Sequence, residues 1–108
     1  MEPIVFLYVT APNMGCAEKI ADALVGEQLA ACVNIHGEMN SVYRWGGKVC
    51  RSREIPLIVK TTQIAAAGAR ERIIAIHPDE TPCVAAIPIE AASSSEPFID
   101  WISQSVGS

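Results

Sequence analysis

Residues 41–61 read SVYRWGGKVCRSREIPLIVKT, and no other part of the chain says as much about its architecture. Val42 and Arg44 alternate with Ser41, Tyr43 and Trp45, a period of two that belongs to a strand with two unlike faces. The pair Gly46-Gly47 is a tight-turn signal, because a two-residue hairpin turn needs backbone conformations that side chains resist. After it, Lys48–Thr61 predicts a second long strand with Leu57-Ile58-Val59 as its buried part. Proline cannot donate to a ladder, so Pro56 predicts a bulge or an unpaired edge position. The arms exceed the usual strand of about 5–6 residues. Part of this hairpin therefore has to lie beyond the core.

On the N-terminal side, Ile4–Val9 is a run of six apolar residues ended by Thr10-Ala11-Pro12-Asn13, the pattern of a buried strand and a turn. Asn13 is a helix cap, and Ala17, Ile20, Ala21 and Leu24 recur at helical spacing, which predicts an amphipathic helix weakening near Gly26. From Ala30, the residues Ala31, Val33 and Ile35 alternate with Cys32, Asn34 and His36 as in a strand. On the C-terminal side, Gln63–Ile76 predicts a helix closed by Pro78, and Cys83–Ile87 a strand stopped or held to an edge by Pro88. Ala91–Ser95 reads as a loop and Glu96–Ser105 as a terminal helix, after which Val106-Gly107-Ser108 are expected to fray. Strand, helix, long hairpin, helix, strand, helix is the order of an α+β, ferredoxin-like split βαβ sandwich with a long β-hairpin and a C-terminal helix. Its 108 residues fit one domain, residues 1–108.

Eight bases against twelve acids give a net charge of −4, which argues against a general nucleic-acid binder. No apolar run approaches the ~20 residues of a membrane span, so no membrane partner is expected. The start Met1-Glu2-Pro3 carries an acid and no basic stretch, unlike a signal peptide, so a cytoplasmic location is expected. The charges are unevenly placed: Arg44, Lys48, Arg51, Arg53, Lys60, Arg70 and Arg72 face only Glu54 and Glu71 in that segment, a local +5 against −9 elsewhere. Such a partition fits solvated faces, or a basic surface meeting an acidic one within a chain or between copies. The cysteines at 16, 32, 50 and 83 form no CxxC pair, which excludes a zinc ribbon or redox motif and predicts free thiols.

The chain has no Gly-rich phosphate loop, no GxSxG and no HExxH. His36-Gly37-Glu38 with Pro82-Cys83 partly matches the zinc deaminases, but position 86 is Ala and the third ligand is missing. No nucleophile–base pair can be assembled, so an enzyme is not expected. His77-Pro78-Asp79-Glu80 places an imidazole and two carboxylates at a helix end broken by proline. These residues suit a divalent metal, or else a helix-end histidine beside two solvated acids. Tyr43, Trp45 and Lys60 line a polar pocket or pack an exposed hairpin; two of only six aromatic residues on one hairpin face point to an interface or a cleft.

Several blocks resemble one family in order and over nearly the whole chain. They are Ala17-Glu18-Lys19-Ile20-Ala21, Leu29-Ala30-Ala31-Cys32-Val33-Asn34-Ile35, Ser41-Val42-Tyr43-Arg44-Trp45-Gly46-Gly47-Lys48, Ile58-Val59-Lys60-Thr61, His77-Pro78 with Pro82, and Phe98-Ile99-Asp100-Trp101-Ile102. Together they closely resemble the CutA family of divalent-cation tolerance proteins. The resemblance implies a compact homotrimer with the hairpin reaching onto neighbouring subunits, cytoplasmic location, a link to copper and other divalent cations, and no established reaction. Where the family usually has an aromatic after His-Pro, this chain has Asp79. The Cys and His-His positions assigned to copper in some members correspond to Val9, Ile76 and His77, so only His77 remains. That favours an oxygen-rich site of His77, Asp79 and Glu80, with Cys32 a distant fourth, for copper or zinc and with no organic cofactor. The alternative is a trimeric small-molecule sensor resembling PII-like proteins, in which Lys60, Arg44 and the basic hairpin receive an anion in clefts between subunits.

Overall fold

The computed structural model describes residues 2–107; the expected fraying of Ser108 and the reading of Met1 lie outside the described residues. The elements are β1 (Ile4–Ala11), α1 (Met14–Gly26), β2 (Cys32–Ile35), β3 (Met39–Trp45), β4 (Lys48–Thr62), α2 (Gln63–Ile76), β5 (Val84–Pro88) and α3 (Glu96–Ser105). A single 3-10 turn at Ala91–Ser93 interrupts the expected loop. The strands form one antiparallel sheet in the order β2-β4-β1-β5, with β3 paired to the outer half of β4. This is the expected α+β, ferredoxin-like sandwich.

Helix boundaries follow from local chemistry. Asn13 Oδ1 accepts the Cys16 amide at 2.8 Å, and Thr62 Oγ1 accepts the Ala65 amide at 3.2 Å, so each helix starts on a side-chain cap. Thr62 thus ends β4 and opens α2 with no linker. Alternation then sorts β1 and β4. Leu7, Val9, Ala11, Ile55, Leu57 and Val59 point to one face, where they meet Ala17, Ile20 and Leu24 of α1 and Ala69 and Ile73 of α2. All are buried, and each large aliphatic there contributes about 1.5–3 kcal/mol. A fork from Arg72 to both oxygens of Glu27, each at 3.0 Å, ties α2 to α1 at the surface.

The other face of the sheet is covered at one end only. Ile99 and Ile102 of α3 pack on Ile4, with Phe6, Ala31, Ile89 and Val106 around them. Val106 belongs to this cluster and the Gly107 amide donates to Gln28 O at 2.9 Å, so residues 106–107 are tied down where fraying was expected. Beyond α3 the same face presents Tyr8, Ile58, Ala85 and Ile87, the last 45% exposed.

Pro56 does not break the sheet. It keeps register with Thr10 of β1, and on its other side its carbonyl accepts the His36 amide at 2.9 Å. Its missing donor faces residues 36–38, where β2 has ended and β3 has not begun. This is the unpaired position that proline requires, without a bulge.

Outside the core, β3 and residues 48–54 of β4 pair with each other alone. Gly46 and Gly47 close this arm with φ of +59° and +75°, the left-handed pair of a type I′ turn. The arm stretches the molecule to 44 Å and raises the radius of gyration to 14.4 Å, against roughly 13 Å for a compact chain of this size.

Candidate functional site: an aromatic and acidic cleft at the base of the arm

The two-residue turn fixes which side chains share each face of the arm. Tyr43 lies opposite Cys50, Ser41 opposite Ser52 and Met39 opposite Glu54; Arg44 opposite Val49 and Val42 opposite Arg51 take the other face. The first face turns toward the loop between α2 and β5. Between them lies a cleft of about 580 Å³, walled by Tyr43 and Trp45, floored by Thr10 and Pro12, and rimmed by Glu54, Asp79, Glu80 and Cys83.

The electrostatics of the cleft are lopsided. Among the described residues Glu54 and Glu80 form no ion pair, and Arg53, at the rim, is engaged by Glu38 at 3.1 Å. Tyr43 and Trp45 stay 43% and 58% exposed, so both rings remain presented to solvent. Asp79 also acts on Cys16 at the start of α1. Burial first, and then the Asp79 charge, push that thiol's pKa up, with Lys19 opposing.

His77 stands behind the cleft rather than in it. Its imidazole is buried, and Nε2 lies 2.8 Å from the Thr10 carbonyl oxygen. A carbonyl only accepts, so Nε2 carries the proton and Nδ1 accepts the Asp79 amide at 3.1 Å. The Asp79 carboxylate is 4.0 Å from Nδ1. As placed, neither ring nitrogen has a free lone pair; to ligate a metal the ring would have to release the Asp79 amide. Among the described residues no three His, Cys, Asp or Glu side chains lie close enough to hold an ion together.

Tyr43, Trp45, Asp79 and Glu80 therefore share one cleft, as their sequence readings allowed. Lys60 and Cys32 do not join them. They face each other across β4 and β2, six residues along β4 from Glu54, or roughly 20 Å. Lys60 Nζ sits over the rings of Phe6 and Phe98, 5.5 and 5.3 Å from their centroids, beneath α3. Within one chain Lys60 and Arg44 therefore lie apart, Lys60 on the sheet beneath α3 and Arg44 on the arm. Glu54, Ser52 and Thr10 were not among the expected site residues, although the turn-fixed register already places Ser52 and Glu54 beside Ser41 and Tyr43.

The profile of the CutA1 divalent ion tolerance protein family matches residues 5–105. The divalent-cation tolerance protein CutA of Thermus thermophilus is 42% identical over 107 residues, 99% of this chain and 100% of that protein. The solved structure of CutA from Archaeoglobus fulgidus, described as a periplasmic divalent cation tolerance protein, superposes with a TM-score of 0.90 at 41% identity, covering 96% of this chain and 99% of that one. CutA1 from the psychrotrophic Shewanella sp. SIB1 gives 0.93 at 32% identity, with full coverage of both chains. This chain belongs to the CutA1 family.

Proposed function

We propose that this member of the CutA1 family serves divalent-cation tolerance as a cytoplasmic homotrimer that binds divalent cations weakly through the carboxylates of the cleft. The observation that carries this reading is the convergence of Glu54, Asp79 and Glu80 on one cleft with no lysine or arginine paired to any of them among the described residues, His77 being the one basic group near Asp79. Three carboxylates on two backbone segments, β4 and the loop after α2, make a negative field, not a preformed cage. Water or a neighbouring subunit would complete the coordination shell, hence the weak affinity. Oxygen donors suit harder and borderline ions, and copper ranks above zinc for a given set of ligands. His77 holds the corner from which Asp79 and Glu80 project.

Two features support assembly. A two-stranded ribbon is marginal on its own, and this arm carries Val42, Tyr43, Trp45 and Val49 exposed. The uncovered sheet face with Ile58 and Ile87 is a second apolar surface. Four free cysteines support a reducing compartment. No reaction is proposed; the family name describes tolerance.

Calorimetry with copper and zinc tests the cation half of the proposal. Asp79→Asn/Glu80→Gln is expected to weaken binding about a hundredfold, since each of the two charged ligands removed costs ~1.4 kcal/mol. Unchanged affinity in that variant would overturn the assignment to the cleft.

A further inference from the structure

Helix α3 is held to the rest of the molecule by few contacts. Ile99 and Ile102 pack on Ile4, Phe98 faces the Lys60 ammonium, and Glu96 and Asp100 form no ion pair among the described residues. Among the described residues, a single hydrogen bond joins residues 96–107 to an earlier element, from the Gly107 amide to the Gln28 carbonyl at 2.9 Å. Gln28 is unusual in itself. The Leu29 amide reaches back to the Leu24 carbonyl at 2.8 Å and the Gln28 amide to that of Val25 at 3.1 Å, which ends α1 in a Schellman motif. The left-handed position of that motif normally takes glycine, because a Cβ there strains the backbone. Here it is Gln28, with φ of +59°, the one non-glycine residue of positive φ among the described residues. The side chain so retained lies against Gly107: a Cβ on Gly107 would come within 3.0 Å of Gln28 Oε1 and 3.3 Å of Gln28 Cβ.

We infer that Gln28 and residues 106–107 form a latch on α3, which acts as a cover hinged at residues 90–95. A strained residue persists where its surroundings hold it, and both free groups of Gln28 serve the latch. The Schellman motif leaves its carbonyl unused, and the Gly107 amide takes it; its side chain walls Gly107 in, where glycine alone fits so close an approach. Val106, between the latch and α3, drops into the cluster of Ile4, Ile99 and Ile102. The hinge has no comparable hold. Ser95 gives α3 no side-chain cap, and the hydroxyls of Ser93 and Ser94 bond only within the segment, to Glu90. Releasing the latch lets α3 swing from the sheet and bares Ile4, Phe6 and Lys60. These then join Tyr8, Ile58 and Ile87 in one continuous apolar face that includes the Lys60 ammonium. An element held this loosely opens by itself, at less than the free energy of global unfolding. The inference is independent of the cation-binding and self-assembly readings.

The test is hydrogen exchange of the full chain read by mass spectrometry, beside acetylation of Lys60 with Lys19 and Lys48 as internal references. In the wild type, amides of α3 are expected to exchange at least about tenfold faster than those of β1, the mark of local opening. Gly107→Pro removes the donating amide. It is expected to quicken α3 exchange and Lys60 acetylation about threefold to tenfold, the loss of one hydrogen bond, while β1 amides hold. Gln28→Gly separates a latch from ordinary turn chemistry. Relief of the left-handed strain should raise the denaturation midpoint, yet loss of the wall should speed α3 opening about threefold. A Gln28→Gly chain whose α3 opens no faster than wild type would overturn the inference, as would Gly107→Pro with wild-type exchange in α3. Equal protection of α3 and β1 in the wild type would make them one cooperative unit and overturn it as well.

Discussion

His77 has the chemistry of a ligand and the surroundings of a lock. Its ring joins β1, through the Thr10 carbonyl, to the segment that leaves α2, through the Asp79 amide. His77→Ala would leave both groups unpaired in a buried place and open a cavity, at about 2–4 kcal/mol. Chemical denaturation would measure this, and a variant as stable as wild type would argue for an open ligand instead. The proline corner was legible in the sequence, since a helix ending at His-Pro is a local pattern. The partner at Thr10 was not, because it lies 67 residues upstream and no local periodicity encodes it. Cys16 gives a second residue-level prediction. Its thiol is pushed up by burial and by Asp79, so ionising it costs more in the folded than in the unfolded chain. Stability tied to the neutral thiol is therefore present below the unfolded-chain value, about 8.5, and is lost as pH rises through the higher folded value. Near pH 8, iodoacetamide should label exposed Cys83 well before Cys16, read by mass spectrometry, and Asp79→Asn should hasten Cys16. Equal labelling of the two thiols would refute the burial argument.

The arm shows how far an element can be derived from its turn. A two-residue Gly-Gly loop sets Trp45 against Lys48 and, counting outward, Tyr43 against Cys50 and Met39 against Glu54. The face that carries the cleft was thus present in the sequence, down to Ser52 and Glu54. What could not be read was the loop it meets, since the angle at which the ribbon leaves the sheet depends on the gap opposite Pro56. Gly46 and Gly47 are both left-handed, so Gly47→Val would cost about 1–2 kcal/mol or more at the turn. Residues 43–50 pair only with each other, so the expected result is local. Hydrogen exchange should quicken between Val42 and Arg51 while amides of β1 keep their protection. Uniform loss of protection would mean that the arm and the core unfold as one unit.

The whole molecule is a sandwich with one side open. Helices α1 and α2 close the first face of the sheet, α3 closes part of the second, and the remainder adjoins the cleft and the arm. Ile87 lies on that open part at 45% exposure, so Ile87→Asp disturbs a lone chain little. In an assembly that buries the face it would strand a carboxylate, and the scattering mass should fall from about three times 11.6 kDa toward a single chain. An oligomer unaffected by Ile87→Asp would place the contact elsewhere.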